Sequence, residues 1–212
     1  MLKVNEIYFS IQGESSKAGF PCVFIRLTYC NLRCVYCDTA YAFYEGTDFT
    51  EDEILNEVKK YGCRLVEITG GEPLVQQEAL ELMKRLCDEG YEVMLETGGS
   101  LPIENIDKRV MIIMDLKCPS SGMLKKNNYE NIGFLKSFDE IKFVIGNSED
   151  YEWSKEIVKK YELTGRCSVL FSTVFGRLEP IDLAEWILKD KLNVRFQLQM
   201  HKYIWDPSAK GV

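Results

Sequence analysis

The sequence has a single histidine, His201, in 212 residues, and it stands close to the C-terminal end, far from the one place where cysteines cluster. Basic charge is also short. There are 26 Lys and Arg against 33 Asp and Glu, a net charge of −7, with a pI near 5.0. The broad basic surface needed to hold a phosphate backbone is therefore missing. No apolar run approaches the roughly 20 residues of a membrane helix, and no N-terminal stretch joins a basic segment to an apolar one. Internal repeats, low-complexity segments and Pro/Gly-rich linkers are absent as well. These absences predict one domain over residues 1–212, in the cytoplasm, acting on a small molecule rather than on nucleic acid or a membrane.

What is present fits a folded α/β chain: 46% hydrophobic and 28% charged residues are enough for a sizeable core. Eight cysteines in a chain with no secretory segment do not read as a disulfide framework, because cytosolic thiols stay reduced. Three of them fall within eight residues. Cys22, Cys63, Cys87, Cys118 and Cys167 are scattered, and burial is the expectation for these five. Cys87, for example, shares helical spacing with Leu80 and Met83.

Short runs rich in β-branched residues at Val23 to Thr28, Leu65 to Thr69, Tyr91 to Glu96, Val110 to Asp115, Glu140 to Ile145 and Ser168 to Thr173 predict buried strands. Helical periods fill the gaps at Thr50 to Tyr61, Val75 to Glu89, Ser148 to Tyr161 and Asp182 to Leu188. Thr50 with Glu53 forms a capping-box pattern, Gly90 stands at a helix C-cap, and Pro180 opens the last helix. Alternating strands and helices imply βαβ units and a parallel sheet, whose chemistry gathers in the loops after the strand ends. About six parallel strands are too few for a closed eight-stranded barrel, so the expectation is a partial, open TIM-like barrel with flanking helices. Val4 to Phe9 and Val194 to Gln199 are candidate edge strands.

Cys30-Asn-Leu-Arg-Cys34-Val-Tyr-Cys37 follows the first of these strands and puts three soft ligands on one loop. A structural zinc would need a fourth ligand, usually Cys or His, and none is near. A 4Fe-4S cluster accepts three protein ligands when its fourth iron binds something exchangeable. Structural zinc and buried free thiols are the alternatives. With Tyr36 before the third cysteine and Thr69-Gly70-Gly71-Glu72-Pro73 after the second strand, the loop resembles the signature of the radical S-adenosylmethionine (SAM) superfamily. That resemblance implies a radical SAM core, with the cluster on Cys30, Cys34 and Cys37 and SAM as cofactor. It also implies SAM contacts from Tyr36, Cys37, Asp38, Gly71, Glu72, Asp115, Leu116 and Lys117.

A narrower pattern comes from both ends of the chain. Ile11-Gln12-Gly13-Glu14, Phe24-Ile25-Arg26-Leu27, Cys37-Asp38-Thr39 and Leu198-Gln199-Met200-His201-Lys202-Tyr203 resemble the 7-carboxy-7-deazaguanine synthase family. The resemblance implies ring contraction of 6-carboxy-5,6,7,8-tetrahydropterin to 7-carboxy-7-deazaguanine, with loss of ammonia, in queuosine precursor synthesis. It further implies a magnesium ion on Thr39, an electron donor such as flavodoxin or ferredoxin, and a homodimer. The pterin would be held by Ile11, Gln12, Gly13, Glu14, Arg26, Thr69, His201 and Val212. Arg26 sits in an otherwise apolar strand, where a guanidinium either salt-bridges or binds an anion. Met200 and Thr173 depart from the residues usual in that family. Two other readings of the motifs stay open: an activating enzyme for a glycyl-radical protein, and an iron-sulfur or zinc module without catalysis.

Overall fold

In the computed structural model, which describes residues 1–212, nine strands form one sheet. They are β1 (Leu2–Ile11), β2 (Pro21–Leu27), β3 (Thr47–Phe49), β4 (Leu65–Gly70), β5 (Glu92–Thr97), β6 (Met111–Asp115), β7 (Glu140–Ile145), β8 (Ser168–Thr173) and β9 (Arg195–Gln197). Their spatial order is β3-β1-β2-β4-β5-β6-β7-β8-β9. From β2 to β9 every neighbouring pair is parallel, while β1 runs antiparallel to both β2 and β3. The two ends of the sheet, β3 and β9, do not pair with each other, so the barrel is open.

Side-chain alternation divides each strand between two environments. One set, including Val23, Ile25, Leu27, Val66, Ile68, Val93, Leu95, Ile112, Met114, Ile141 and Phe143, packs beneath the helices in a 38-residue apolar core. The other set faces the concave side and is far more polar: Arg26, Glu67, Thr69, Glu96, Asp115 and Lys142. The covering helices are α1 (Glu51–Lys60), α2 (Glu78–Asp88), α3 (Ser148–Lys160) and α4 (Pro180–Asp190), and a short α5 (His201–Ile204) follows β9. None is long and apolar enough to cross a membrane. The expected caps are present: the Thr50–Glu53 capping box opens α1, Gly90 has φ +84° after α2, and Pro180 opens α4.

Four local expectations change. The first segment is not an edge strand, because the three-residue β3 pairs outside it. The helix expected over Val75 to Glu89 is interrupted: Pro73–Val75 is a 3-10 turn, Gln76 is extended, and α2 begins at Glu78. The cause is the Gln76 side chain, which accepts from Lys3 N and donates to Lys3 O and Thr28 O, so it ties this turn to β1. The strand expected over Val194 to Gln199 shortens to Arg195–Gln197, since Gln199 turns its amide to Glu14 at 2.8 Å. Of the five scattered cysteines, Cys22, Cys118 and Cys167 are buried, but Cys63 and Cys87 lie half-buried at the margin of the core.

Candidate active site

The loops after β2, β4, β5 and β6 meet at the carboxyl rim of the sheet around a cavity of about 620 Å³, within the range of roughly 300–1,000 Å³ common for ligand sites. Cys30, Cys34, Tyr36, Cys37, Asp38 and Thr39 reach it from the first loop, Thr69 and Gly71 from the second, and Asp115 and Lys117 from the fourth. Ile11, Gln12, Gly13, Glu14, Arg26, His201 and Val212 close it from the other side. Residues drawn from both ends of the sequence thus share one cavity with the cysteine loop.

Backbone packing fixes the cysteine loop. Tyr29 takes a left-handed conformation, φ +76°, which costs a non-glycine residue about 1–3 kcal/mol. In that pose its N–H donates to Ala42 O at 3.0 Å and its carbonyl accepts from Glu72 N at 2.8 Å. The carbonyl lies so near Gly71 that a Cβ there would stand 2.1 Å from Tyr29 O and 2.9 Å from Cys30 Cβ. Gly71→Ala is therefore expected to push the two loops apart, lowering both the melting temperature and the iron retained per chain. Thermal denaturation and iron analysis of the purified variant test this, and wild-type values for both would refute it.

Two expected SAM contacts do not reach the cavity with their side chains. Glu72 is 1% exposed and accepts from Thr97 Oγ1 at 2.8 and 3.0 Å, Gly98 N at 2.7 Å and Leu74 N at 3.1 Å. It clamps the loop after β4 to the loop after β5. Leu116 is fully buried in the core. Met200 serves through its backbone, donating to Gly13 O at 3.0 Å.

The donor set suits a cluster. Burial pushes the Cys30 and Cys34 thiols up, and the Lys117 ammonium opposes this at both. No three His, Cys, Asp or Glu side chains converge to hold a single metal ion. A cubane does not ask for that, because each thiolate binds a different iron. Asp115 accepts from Lys117 Nζ at 2.8 Å through Oδ2, while its buried Oδ1 has no partner in the protein, an acceptor left for a ligand donor. Tyr36 OH donates to Val144 O at 3.2 Å, so its ring stands as a wall.

On the opposite side, Arg26 is salt-bridged to Glu6 (Nε to Oε1, 2.7 Å) and donates to Tyr8 OH at 2.8 Å. It is thus the buried pair that a guanidinium in an apolar strand can form, with Nη1 left free of these bonds. Tyr8 stacks on Phe24 with centroids 4.9 Å apart. Gln12 donates to Glu67 through Nε2 and accepts from Glu14 N through Oε1 at 3.1 Å. Glu14 accepts from Gln199 at 2.8 Å and from Lys142 Nζ at 2.8 Å. Burial opposes its charge but Lys142 outweighs that, and its carboxyl is held low. Burial lowers the His201 imidazole. Asp38, exposed at the rim, is held low by Lys202 at 2.6 Å, which outweighs the desolvation of its carboxyl.

Lys142 and Glu67 were not among the residues singled out by motif, yet both line the cavity. The signal available was a charged residue in phase with other polar ones inside an apolar strand, as in Glu140-Ile-Lys142 and Glu67-Ile-Thr69.

A family model for the radical SAM superfamily matches residues 24–187. The chain is 48% identical to a 7-carboxy-7-deazaguanine synthase of Chlorobaculum tepidum, over 100% of this chain and 97% of that one. It belongs to the 7-carboxy-7-deazaguanine synthase family of radical SAM proteins. A family member from Koribacter versatilis is 46% identical over the full length of both chains. The fold agrees: the crystal structure of QueE from Escherichia coli superimposes with a TM-score of 0.77 at 22% identity, covering 94% of each chain. Membership implies a 4Fe-4S cluster and SAM as cofactors.

Proposed function

We propose that this chain is a radical SAM enzyme that contracts 6-carboxy-5,6,7,8-tetrahydropterin to 7-carboxy-7-deazaguanine with loss of ammonia. The observation that carries this reading is the joining of the two sequence patterns: Gln12, Glu14, Arg26 and His201 face the same cavity as Cys30, Cys34 and Cys37, in a chain nearly half identical to relatives bearing that name.

With a 4Fe-4S cluster on the three cysteines and SAM beside it, the bound cofactors supply a carbon radical able to take a substrate hydrogen. The protein's part is to bind, orient and shield. Gly71, where backbone approaches closely, and Asp115 with its unpartnered Oδ1 suit the polar groups of SAM. Tyr36 walls that side, and Asp38 and Lys117 flank it. For the pterin, Ile11 and Gly13 shape the loop, while Gln12, Glu14, Thr69 and a largely neutral His201 offer donors and acceptors. Arg26 Nη1 and the terminal segment ending at Val212 complete the wall. Magnesium belongs to the same proposal. Thr39 offers one hydroxyl, and a hard cation that keeps waters and borrows substrate oxygens could use it. A one-electron donor such as flavodoxin or ferredoxin, a homodimer and a cytoplasmic location complete the reading on the strength of family membership.

Anaerobic incubation of the cluster-loaded protein with reductant, SAM, magnesium and carboxytetrahydropterin is expected to yield the deazaguanine acid and ammonia. No product from a protein with its full complement of iron and sulfide would overturn the assignment.

A further inference from the structure

Three carboxyl groups, Glu14, Glu67 and Glu96, face the concave side of the sheet, and one ammonium, Lys142, stands among them. Lys142 Nζ is committed to two of them: Glu14 Oε2 at 2.8 Å and Glu96 Oε1. Glu67 on β4, 4% exposed, has no cation. Its single protein hydrogen bond is the one Gln12 Nε2 donates to Oε2. The other ionisable groups that face it are Tyr8 from β1 and Cys22 from β2. Arg26, one turn of the β2 pleat away, is taken by Glu6 and Tyr8. A carboxylate buried here with only an amide donor would pay desolvation without compensation. Burial, with Glu96 next in weight, pushes the Glu67 carboxyl up to about 8.

We propose that Glu67 is a further substrate-recognition residue of this site: a neutral carboxylic acid that holds the Gln12 amide with one oxygen and offers an O–H donor to a bound heterocycle with the other. This rests on the pterin reading above. Since Oε2 accepts from Gln12, the proton sits on Oε1, which has no protein partner on a side chain that lines the cavity. The consequence for Gln12 is orientation. Its Nε2 points to Glu67 and its Oε1 to Glu14 N, so the remaining N–H and lone pair present a fixed pattern to a ring edge. An ionised Glu67 could only accept. The neutral acid matches a heterocycle that shows acceptors, such as a ring nitrogen or carbonyl, at that edge.

The test is the affinity of the SAM-loaded, cluster-bearing protein for 6-carboxypterin between pH 6 and 9.5, in wild type, Glu67→Gln and Glu67→Leu. The amide keeps one donor and one acceptor but cannot ionise. Leu is expected to lose at least about tenfold in affinity at pH 6.5, and Gln to restore it to within about threefold. Above pH 8 the Gln variant should bind progressively more tightly than wild type; the ligand's own ionisation cancels in that ratio. A ratio that stays flat across the range, or a Gln variant as weak as Leu, overturns the proposal. Infrared difference spectra of wild type minus Glu67→Gln at pH 6.5 decide the protonation independently. A protonated-carboxyl stretch unique to wild type is expected, and its absence overturns the neutral acid. If wild type shows that band but binds no pterin, the substrate reading has failed, and with it the recognition role of Glu67.

Discussion

Alanine at Cys30, Cys34 or Cys37 is expected to leave a folded but colourless protein, with neither iron nor sulfide retained and turnover below detection, whereas Cys63→Ala keeps all three. The three loop thiols carry little of the fold. Cys30 Sγ accepts from Leu32 N at 3.4 Å, Cys37 Sγ stands 3.7 Å from Thr39 Oγ1, and Cys34 has no side-chain hydrogen bond. Their removal should cost far less than the 2–5 kcal/mol of a core truncation. Cys63 lies before β4, at the opposite end of the sheet from the cavity, and its thiol donates to Pro21 O at 3.3 Å. Iron and sulfide analysis, electron paramagnetic resonance of the reduced protein and circular dichroism separate loss of the cluster from loss of the fold. A Cys63→Ala protein without iron, or a Cys34→Ala protein with a full cluster, would show that the ligands are assigned to the wrong cysteines.

The six parallel strands from β2 to β8 were legible because each is a short β-branched run between breakers, and every boundary fell within two residues of the expected one. Their convergence was legible too, since the motifs follow strand ends. What was not legible has a common cause. Sequence spacing shows which residues sit at a strand end but not whether a side chain turns toward the cavity or braces the loop beside it. Glu72 belongs to the GGEP-like turn and reads as a ligand contact, yet it spends its carboxylate on Thr97, Gly98 and Leu74. Gln76 looks like one more helical residue until its amide is seen tied to Lys3 and Thr28. Arg26 was legible as a charge that needs a partner; that the partner is Glu6, across the β1–β2 pair, follows only from the antiparallel register Glu6↔Arg26. In the same way the alternation in β4 and β7 marks Glu67 and Lys142 as sharing a face. It cannot tell that this face is an enclosed lumen instead of solvent.

That enclosure gives Lys142 the largest structural effect expected of any single side chain here. Lys142→Met should destabilise the protein by about 3–5 kcal/mol at pH 7, because removing one partner strands the carboxylates of Glu14 and Glu96 without their cation. At roughly 2–4 °C per kcal/mol for a chain of this size, the melting temperature should fall by about 6–20 °C. The pH dependence follows from the two shifts. The Glu14 carboxyl is held low, so its stabilisation is present above the unfolded value of about 4.3 and is lost as pH falls through its folded value. Burial opposes the Lys142 charge, but Glu14 and Glu96 raise it well above the ordinary value. Its stabilisation is therefore complete below about 10.4 and lost only at higher pH. Wild type thus holds the pair across the neutral range. In the variant the stranded carboxyls take up protons more readily, and its deficit relative to wild type should shrink between pH 7 and pH 5. Adding Glu14→Gln to Lys142→Met should recover part of the loss, since a neutral amide needs no counter-charge and still meets Gln199. Thermal melts of the four proteins at pH 5 and 7 form a double-mutant cycle. A Lys142→Met protein that melts within 2 °C of wild type at pH 7, the limit below which no kcal-scale loss is visible, would mean that water reaches these carboxylates and that the lumen is not the enclosed, low-dielectric space that keeps Glu67 neutral.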